Sequence, residues 1–404
     1  MKTLVERFVR YAKVSTASDP NCSDSPSSKR QFILLEILKS ELIEMGLNDV
    51  YLSSKGVLYG KVPGGTGEVI GLIAHVDTSP DSPGENVKPQ LHENWDGTPI
   101  VLEHGVVIDP AECSDILRYQ GGTIITSDGS TLLGADDKAG VAIIMETCRW
   151  LMAQPDMKRP GIVVAFTPDE EVGRGMDNFD TDRFGADFAY TIDGSEVSDV
   201  SAETFNAYSA NWKIVGREVH PGSAAGSMIN AVRIAGELIA MLQSEEMPEN
   251  STGTQGFDYP LAIKGNTASA DVKMILRDFT VEGMVIRRKR MEAIRDCLTA
   301  LFPGAVIELS MKEQYSNPGE ILKKDSRLID YALAGVNRSG LIAKKTAIRG
   351  GTDGSRLSFM GVPTANLPTG GELFHSRREW IAVEGLSYAL DILKNTIKIW
   401  GENM

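Results

Sequence analysis

The chain has 404 residues, 42% of them hydrophobic, and a formal net charge of −14. That length exceeds what one compact core commonly spans, so two domains are expected. The acidic balance excludes a nucleic-acid partner, which would need a basic face, and favours cations instead. At the N-terminus Lys2, Glu6, Arg7, Arg10 and Lys13 are interleaved with Leu4, Val5, Phe8, Val9 and Ala12. The spacing predicts an amphipathic surface helix and not an apolar secretory leader. No apolar run reaches the roughly 18 residues of a membrane helix, so no membrane partner is expected. Cys22, Cys113, Cys148 and Cys297 are scattered, without a Cys-x-x-Cys pair, and read as free thiols of a reducing cytoplasm.

Residues 15–29 are rich in Ser, Asp, Asn and Pro and read as a loop. A helix is predicted over about 30–45 with Gly46 as its stop, then strands at 56–62 and 69–74. Three apolar runs, 69–74, 162–166 and 188–192, have the character of buried parallel strands. Each leads straight into His or acids: His75-Val76-Asp77, Asp169-Glu170-Glu171, and Asp193. Ligands of an open α/β sheet bind beyond the carboxyl ends of its strands, so these segments can meet in one cleft. A helix over about 138–152, introduced by Gly134-Ala135-Asp136-Asp137-Lys138, lies between the first two runs.

The character changes near Ser201. From there to about Tyr315 the order is strand, strand, helix, strand, strand, helix, strand, with helices near 228–243 and 281–301 and strands at 207–215, 271–277 and 306–312. This α+β pattern has the size of a small separate domain. After Asn317 the chain resumes through Gly350-Gly351-Thr352-Asp353-Gly354, Gly370-Gly371 and His375, and a helix over about 383–400 closes the first domain. The reading is an α/β catalytic domain with a mostly parallel sheet, residues 1–202 and 318–404, interrupted by a smaller α+β domain of lid or dimerisation type, residues 203–317.

Taken singly, the polar pieces have ordinary explanations. Asp136-Asp137 suits a helix N-terminus, Glu170-Glu171 a solvated loop, and His375 an exposed surface. Gathering them is costly unless a cation neutralises the carboxylates. Imidazole and carboxylate without thiolate suit zinc, and also manganese or cobalt. One shared carboxylate would set two ions about 3.5–4 Å apart.

The order His75-x-Asp77, Gly134-Ala135-Asp136-Asp137-Lys138-Ala139-Gly140, Asp169-Glu170-Glu171-Val172-Gly173, Asp193-Gly194 and a late His375 resembles the co-catalytic zinc peptidase family. That family includes carboxypeptidase G and aminoacylase. Segments 74–80, 166–173, 219–222 and 348–354 resemble its tripeptide aminopeptidase branch in particular, and the likeness covers nearly the whole chain. The resemblance implies two zinc ions: His75 and Asp193 on one, Glu171 and His375 on the other, Asp136 bridging. It implies that Asp77 accepts the free ring N–H of His75 and fixes its tautomer. Glu170 would be the general base that takes a proton from a metal-bridging water and gives it to the leaving amine. A cis peptide after Asp136 is implied as well.

In the inserted domain the resemblance makes His220 a stabiliser of the oxyanion, acting from the lid or from a second subunit of a homodimer. Arg277 or Arg349 would bind the peptide carboxylate as a planar fork, and Asn206 would be a further substrate contact. His92 and His104 are given no metal role, and Met145 and Cys148 are read as core. The expected activity is removal of the N-terminal residue from tripeptides. The alternatives are a dipeptidase, carboxypeptidase or aminoacylase of the same family, or a non-catalytic metal- or peptide-binding module. Intact Glu170 argues against the last. A nucleotide-binding protein is disfavoured because the glycine-rich segment at 350–354 lacks the Gly-Lys-Ser/Thr of a phosphate loop.

Overall fold

A computed structural model describes residues 2–404. The chain divides into two compact units, one of Met1–Ala202, Pro318–Thr346 and Thr352–Met404, the other of Glu203–Asn317 and Ala347–Gly351. The second stretch of the catalytic domain, expected to run unbroken over 318–404, therefore gives up Ala347–Gly351. Arg349 is the reason. Its guanidinium donates to the carbonyls of Ser251, Gly253 and Gln255 and to Ser251 Oγ, and it stacks on Phe205 and Phe257, all in the second unit.

The first unit is built on an eight-stranded sheet ordered Asn48–Leu52, Leu58–Val62, Gly161–Thr167, Val69–His75, Phe188–Gly194, Thr364–Pro368, Asp199–Thr204, Lys344–Ile348. The central four strands run parallel, and the strands flanking them pair antiparallel. Gly161–Thr167 is buried at every position, as a strand covered on both faces must be. The helix Ala135–Met152 packs against Val69–His75 and Phe188–Gly194, and against the helices Lys2–Ala12 and Val383–Glu402. Leu4, Phe8, Tyr11 and Ala12 form the buried face of the N-terminal helix, which is the amphipathic element its spacing predicts.

Short strands escaped the sequence reading. Gln90–His92, Ile124–Thr126, Trp380–Ala382 and Gly371–Glu372 make a second small sheet over Trp95, Ile116, Tyr119 and Ile124. Two or three residues are too few to display a period.

The second unit is a four-stranded antiparallel sheet ordered Phe257–Gly265, Ser269–Asp278, Asn206–Val215, Val306–Tyr315. Alternate residues of Ser269–Asp278 are buried, and the helices Ala231–Ala240 and Val281–Leu301 pack on the sheet over Trp212, Ile214, Leu238, Val272 and Leu298. Among the described residues of either unit, no helix is long and apolar enough to cross a membrane.

Candidate metal centre

Strand register brings the first groups together. His75 ends Val69–His75 opposite Thr167, and Ile73 pairs with Thr191, so Asp193, two residues on, stands level with His75. Neighbours on parallel strands share a face, and His75 Nε2 lies 3.6 Å from Asp193 Oδ1. Asp136 enters from the start of the helix Ala135–Met152, where Asp136 and Asp137 have non-helical dihedrals and the peptide between them is cis. Its Oδ1 is 2.9 Å from His75 Nε2 and its Oδ2 is 3.3 Å from His375 Nε2. Glu171 Oε2 is 2.9 Å from the same His375 nitrogen. All five groups expected to hold metal thus converge in the first unit, with one oxygen of Asp136 facing each imidazole.

Buried carboxylates that are not in this set hold the segments in place. Asp77 accepts the backbone N–H of Glu170 (3.0 Å) and of Glu171 (3.2 Å). His75 Nδ1 faces both the Asp77 carbonyl (3.1 Å) and its carboxylate (3.3 Å), so this residue orients the ring with its backbone as well as its side chain. Asp137 accepts from the backbone N–H of His75 (3.1 Å) and of Gly140 (3.2 Å). Its position within 4.8 Å of His75 and Asp193 resembles that of a ligand, but both oxygens are engaged by N–H donors and it serves as scaffold. Glu379, 1% exposed, accepts from Leu133 N (2.7 Å), Gly134 N (2.7 Å) and Asp136 N (3.0 Å), fixing the turn that delivers Asp136. Asp353 accepts from Thr167 Oγ1 at 2.7 Å. The sequence reading missed Glu379 and saw Asp353 only as part of a glycine-rich loop. Glu379 stands alone between Arg378 and Trp380, with no local pattern to mark it; its spacing of four from His375 is the one available hint.

Electrostatics explain why the site calls for a cation. Burial, with Asp136 nearby, pushes Glu171 up to about 8 and Asp193 up to about 6. Hydrogen bonds to Asp136 and Glu171 push His375 up to about 11. Burial opposes a charge on His75, yet Asp136, Asp193 and Asp77 outweigh it and hold its pKa well above the ordinary imidazole value. Burial raises Glu170 strongly, and Asp353, Asp193 and Glu171 add to the effect. Against the effect of burial, Asp136 alone of these carboxylates is held well below the ordinary carboxylate range, by its hydrogen bonds to His375 and His75. Glu171 Oε1 is buried without a hydrogen-bond partner, an unused acceptor.

The remaining expected residues lie in the second unit. His220 is exposed, and its Nδ1 accepts from Gly222 N at 3.1 Å. Arg277 is buried, donates to the carbonyls of Tyr208 and Leu276, and lies over the Tyr315 ring. Asn206 donates to the carbonyls of Asp278 and Phe279 and accepts from Asn317 N at 3.0 Å. Its amide thus ties the entry of the second unit to its exit. In the first unit, His92 pairs with Thr126 Oγ1 and His104 is exposed beside Glu103, while Met145 and Cys148 are fully buried.

The model of peptidase family M20/M25/M40 matches residues 128–399. A peptidase T from Clostridium perfringens is 43% identical over 405 residues, covering 100% of both chains. The chain belongs to peptidase family M20/M25/M40. It is a hydrolase of a metal-dependent family. M20 relatives of known structure share its fold. A tripeptidase from Staphylococcus aureus superposes with a TM-score of 0.79 at 22% identity, covering 99% of this chain and 98% of that one. A Bacillus subtilis protein described as a dinuclear metal binding peptidase of the M20 family has a TM-score of 0.68 at 14% identity, covering 100% of this chain and 99% of that one.

Proposed function

We propose that this M20 peptidase is a two-metal aminopeptidase that removes the first residue of tripeptides. The observation that carries the reading is Asp136, whose two oxygens each face a histidine, with Asp193 beside one and Glu171 beside the other. That donor set of imidazoles and carboxylates fits zinc, with cobalt or manganese as substitutes. His75 and Asp193 would hold one ion, Glu171 and His375 the other, and Asp136 both. When bound, the ions would polarise the scissile carbonyl and lower the proton affinity of the attacking water.

Glu170 is the general base. It accepts the proton of the attacking water and passes it to the leaving amine. Its raised proton affinity, caused first by burial, suits a group that must hold that proton between the two steps. Asp77 keeps Glu170 and Glu171 in register by binding both backbone amides. His220 would donate to the oxyanion. Because its Nδ1 accepts from Gly222 N, the neutral ring carries its proton on Nε2, the tautomer such a donor needs. Arg277 and Arg349 are the candidates for the peptide carboxylate, and Asn206 for a further contact. In this structure all three have their polar groups engaged within their own unit. The four cysteines are unpaired, in keeping with a cytoplasmic enzyme.

Tripeptide preference is supported by the relatives named peptidase T. Its physical basis would be two anchors at a fixed separation, one for the free amine and one for the carboxylate. Leaving a buried charge unpaired at either end costs about 2–5 kcal/mol, enough for strong length selection. The test is a matched set of di-, tri- and tetrapeptides with a C-terminally amidated tripeptide, assayed with and without chelator. The free tripeptide should be preferred, chelation should abolish turnover, and zinc, cobalt or manganese should restore it. Equal kcat/KM on dipeptide, tripeptide and amide would favour a dipeptidase or carboxypeptidase. Full activity without bound metal would overturn the two-metal reading.

A further inference from the structure

The segment that follows His75 turns toward the other histidine of the centre. Ser82 Oγ donates to the backbone carbonyl of His375 at 2.8 Å, across 293 residues of sequence. Asp81 Oδ2 lies 3.4 Å from His375 Nδ1, while Nε2 of the same ring faces Glu171 at 2.9 Å and Asp136 at 3.3 Å. His375 has φ +59°, and Leu373, two residues earlier, has φ +55°. Side chains other than glycine are uncommon in this left-handed region and persist where surroundings hold them. The Ser82 hydrogen bond is such a restraint.

Exposure decides what the Asp81 contact is for. The Asp81 side chain is 72% exposed and that of His375 41%. An ion pair so open to water adds little to stability. A carboxylate facing Nδ1 nonetheless orients the ring, holding Nε2 toward Asp136 and Glu171. Asp77 does the same for His75 from a fully buried position.

We propose that Asp81 and Ser82 are positioning residues for His375, so that the single stretch 75–82 sets both imidazoles of the centre. Asp81 orients the ring from its Nδ1 side, and Ser82 holds the left-handed backbone that presents it. The inference rests on the two-metal reading above.

The experiment uses the full chain and its Asp81→Ala, Asp81→Glu and Ser82→Ala variants. Three quantities are measured: zinc and cobalt affinity by competition with a chromogenic chelator, the Nδ1–H proton shift of His375 with and without zinc, and the metal-free Tm. Asp81→Ala should weaken one of the two ions by about 10–100-fold, the range for loss of an outer-shell partner. It should also move the Nδ1–H proton shift of His375 upfield while leaving the metal-free Tm unchanged. Asp81→Glu should restore most of the affinity. Ser82→Ala should weaken the same ion. Unchanged affinity and Nδ1–H shift in Asp81→Ala would overturn the proposal, as would a lowered Tm with affinity intact. If the parent protein bound no metal, the two-metal reading would fall, and the metal-free Nδ1–H shift would still decide the role of Asp81.

Discussion

Single residues separate chemistry from scaffolding in this site. Glu170→Gln keeps the size of the side chain but cannot accept the proton, so kcat should fall about 10²–10⁴-fold with metal content unchanged. Turnover near that of the parent would remove Glu170 from the mechanism. Glu379→Gln tests the scaffold. An amide keeps one acceptor oxygen but sets its NH2 against at least one of the three backbone N–H donors, and a buried donor left unsatisfied costs about 1–3 kcal/mol. The urea midpoint should drop accordingly; an unmoved midpoint would mean that the turn at Leu133–Asp136 holds itself. Burial pushes the Cys148 thiol up to about 12, so at pH 8 almost none of it is the reactive thiolate. A disulfide reagent should label the exposed Cys297 in the native protein and reach Cys148 only on unfolding. Rapid native labelling of Cys148 would contradict its burial. His75, Asp136, Glu171 and Asp193 were legible because each stands at the end of an apolar run or the start of a helix. Glu379 was not, because its partners are backbone amides more than 240 residues away.

At the scale of elements, the close approach of a helix to a strand sets the distance between Asp136 and Asp193. A Cβ on Gly140 would sit 1.9 Å from the Ile192 carbonyl oxygen and 2.4 Å from Asp137 Oδ1. Gly to Ala inside a helix ordinarily gains up to about 1 kcal/mol. Here overpacking, worth about 1–3 kcal/mol, should reverse the sign. Gly140→Ala is expected to lower the urea midpoint and weaken metal binding. A gain in stability would mean that the helix slides without cost. The helix over 281–301 and the strands at 207–215, 271–277 and 306–312 were readable to within a few residues, because their periodicity is sustained. The start of the helix Ala135–Met152 was not, since Asp136 and Asp137 depart from helical dihedrals to serve the site.

For the whole molecule, the division of labour between the units makes a separable prediction. All five proposed ligands belong to the first unit. The second unit has its own core around Trp212, and its ends are joined through Asn206 and Asn317. The excised fragment 203–317 should therefore fold cooperatively, with Trp212 shielded from water. Zinc at about 100 times its Kd should stabilise the full chain by about 2.7 kcal/mol and leave the fragment unmoved. A fragment that is unfolded, or one that zinc stabilises as strongly, would contradict this account.

The sequence by itself determined the parallel core, the inserted α+β unit and the residues that converge at the strand ends. Those features follow from apolar runs and from the spacing of acids and histidines, which are local properties. Tertiary structure alone decided that Asp136 turns one oxygen to each histidine, that Arg349 belongs with the second unit, and that Asn206 closes that unit's ends. It also decided that Asp77 binds the backbone amides of Glu170 and Glu171, and that Asp137 and Glu379 satisfy backbone amides in the same way. The physical reason is the same in each case. A buried carboxylate or guanidinium must find partners, and which donors or acceptors lie within 3 Å depends on segments far apart in the chain that only the fold brings together.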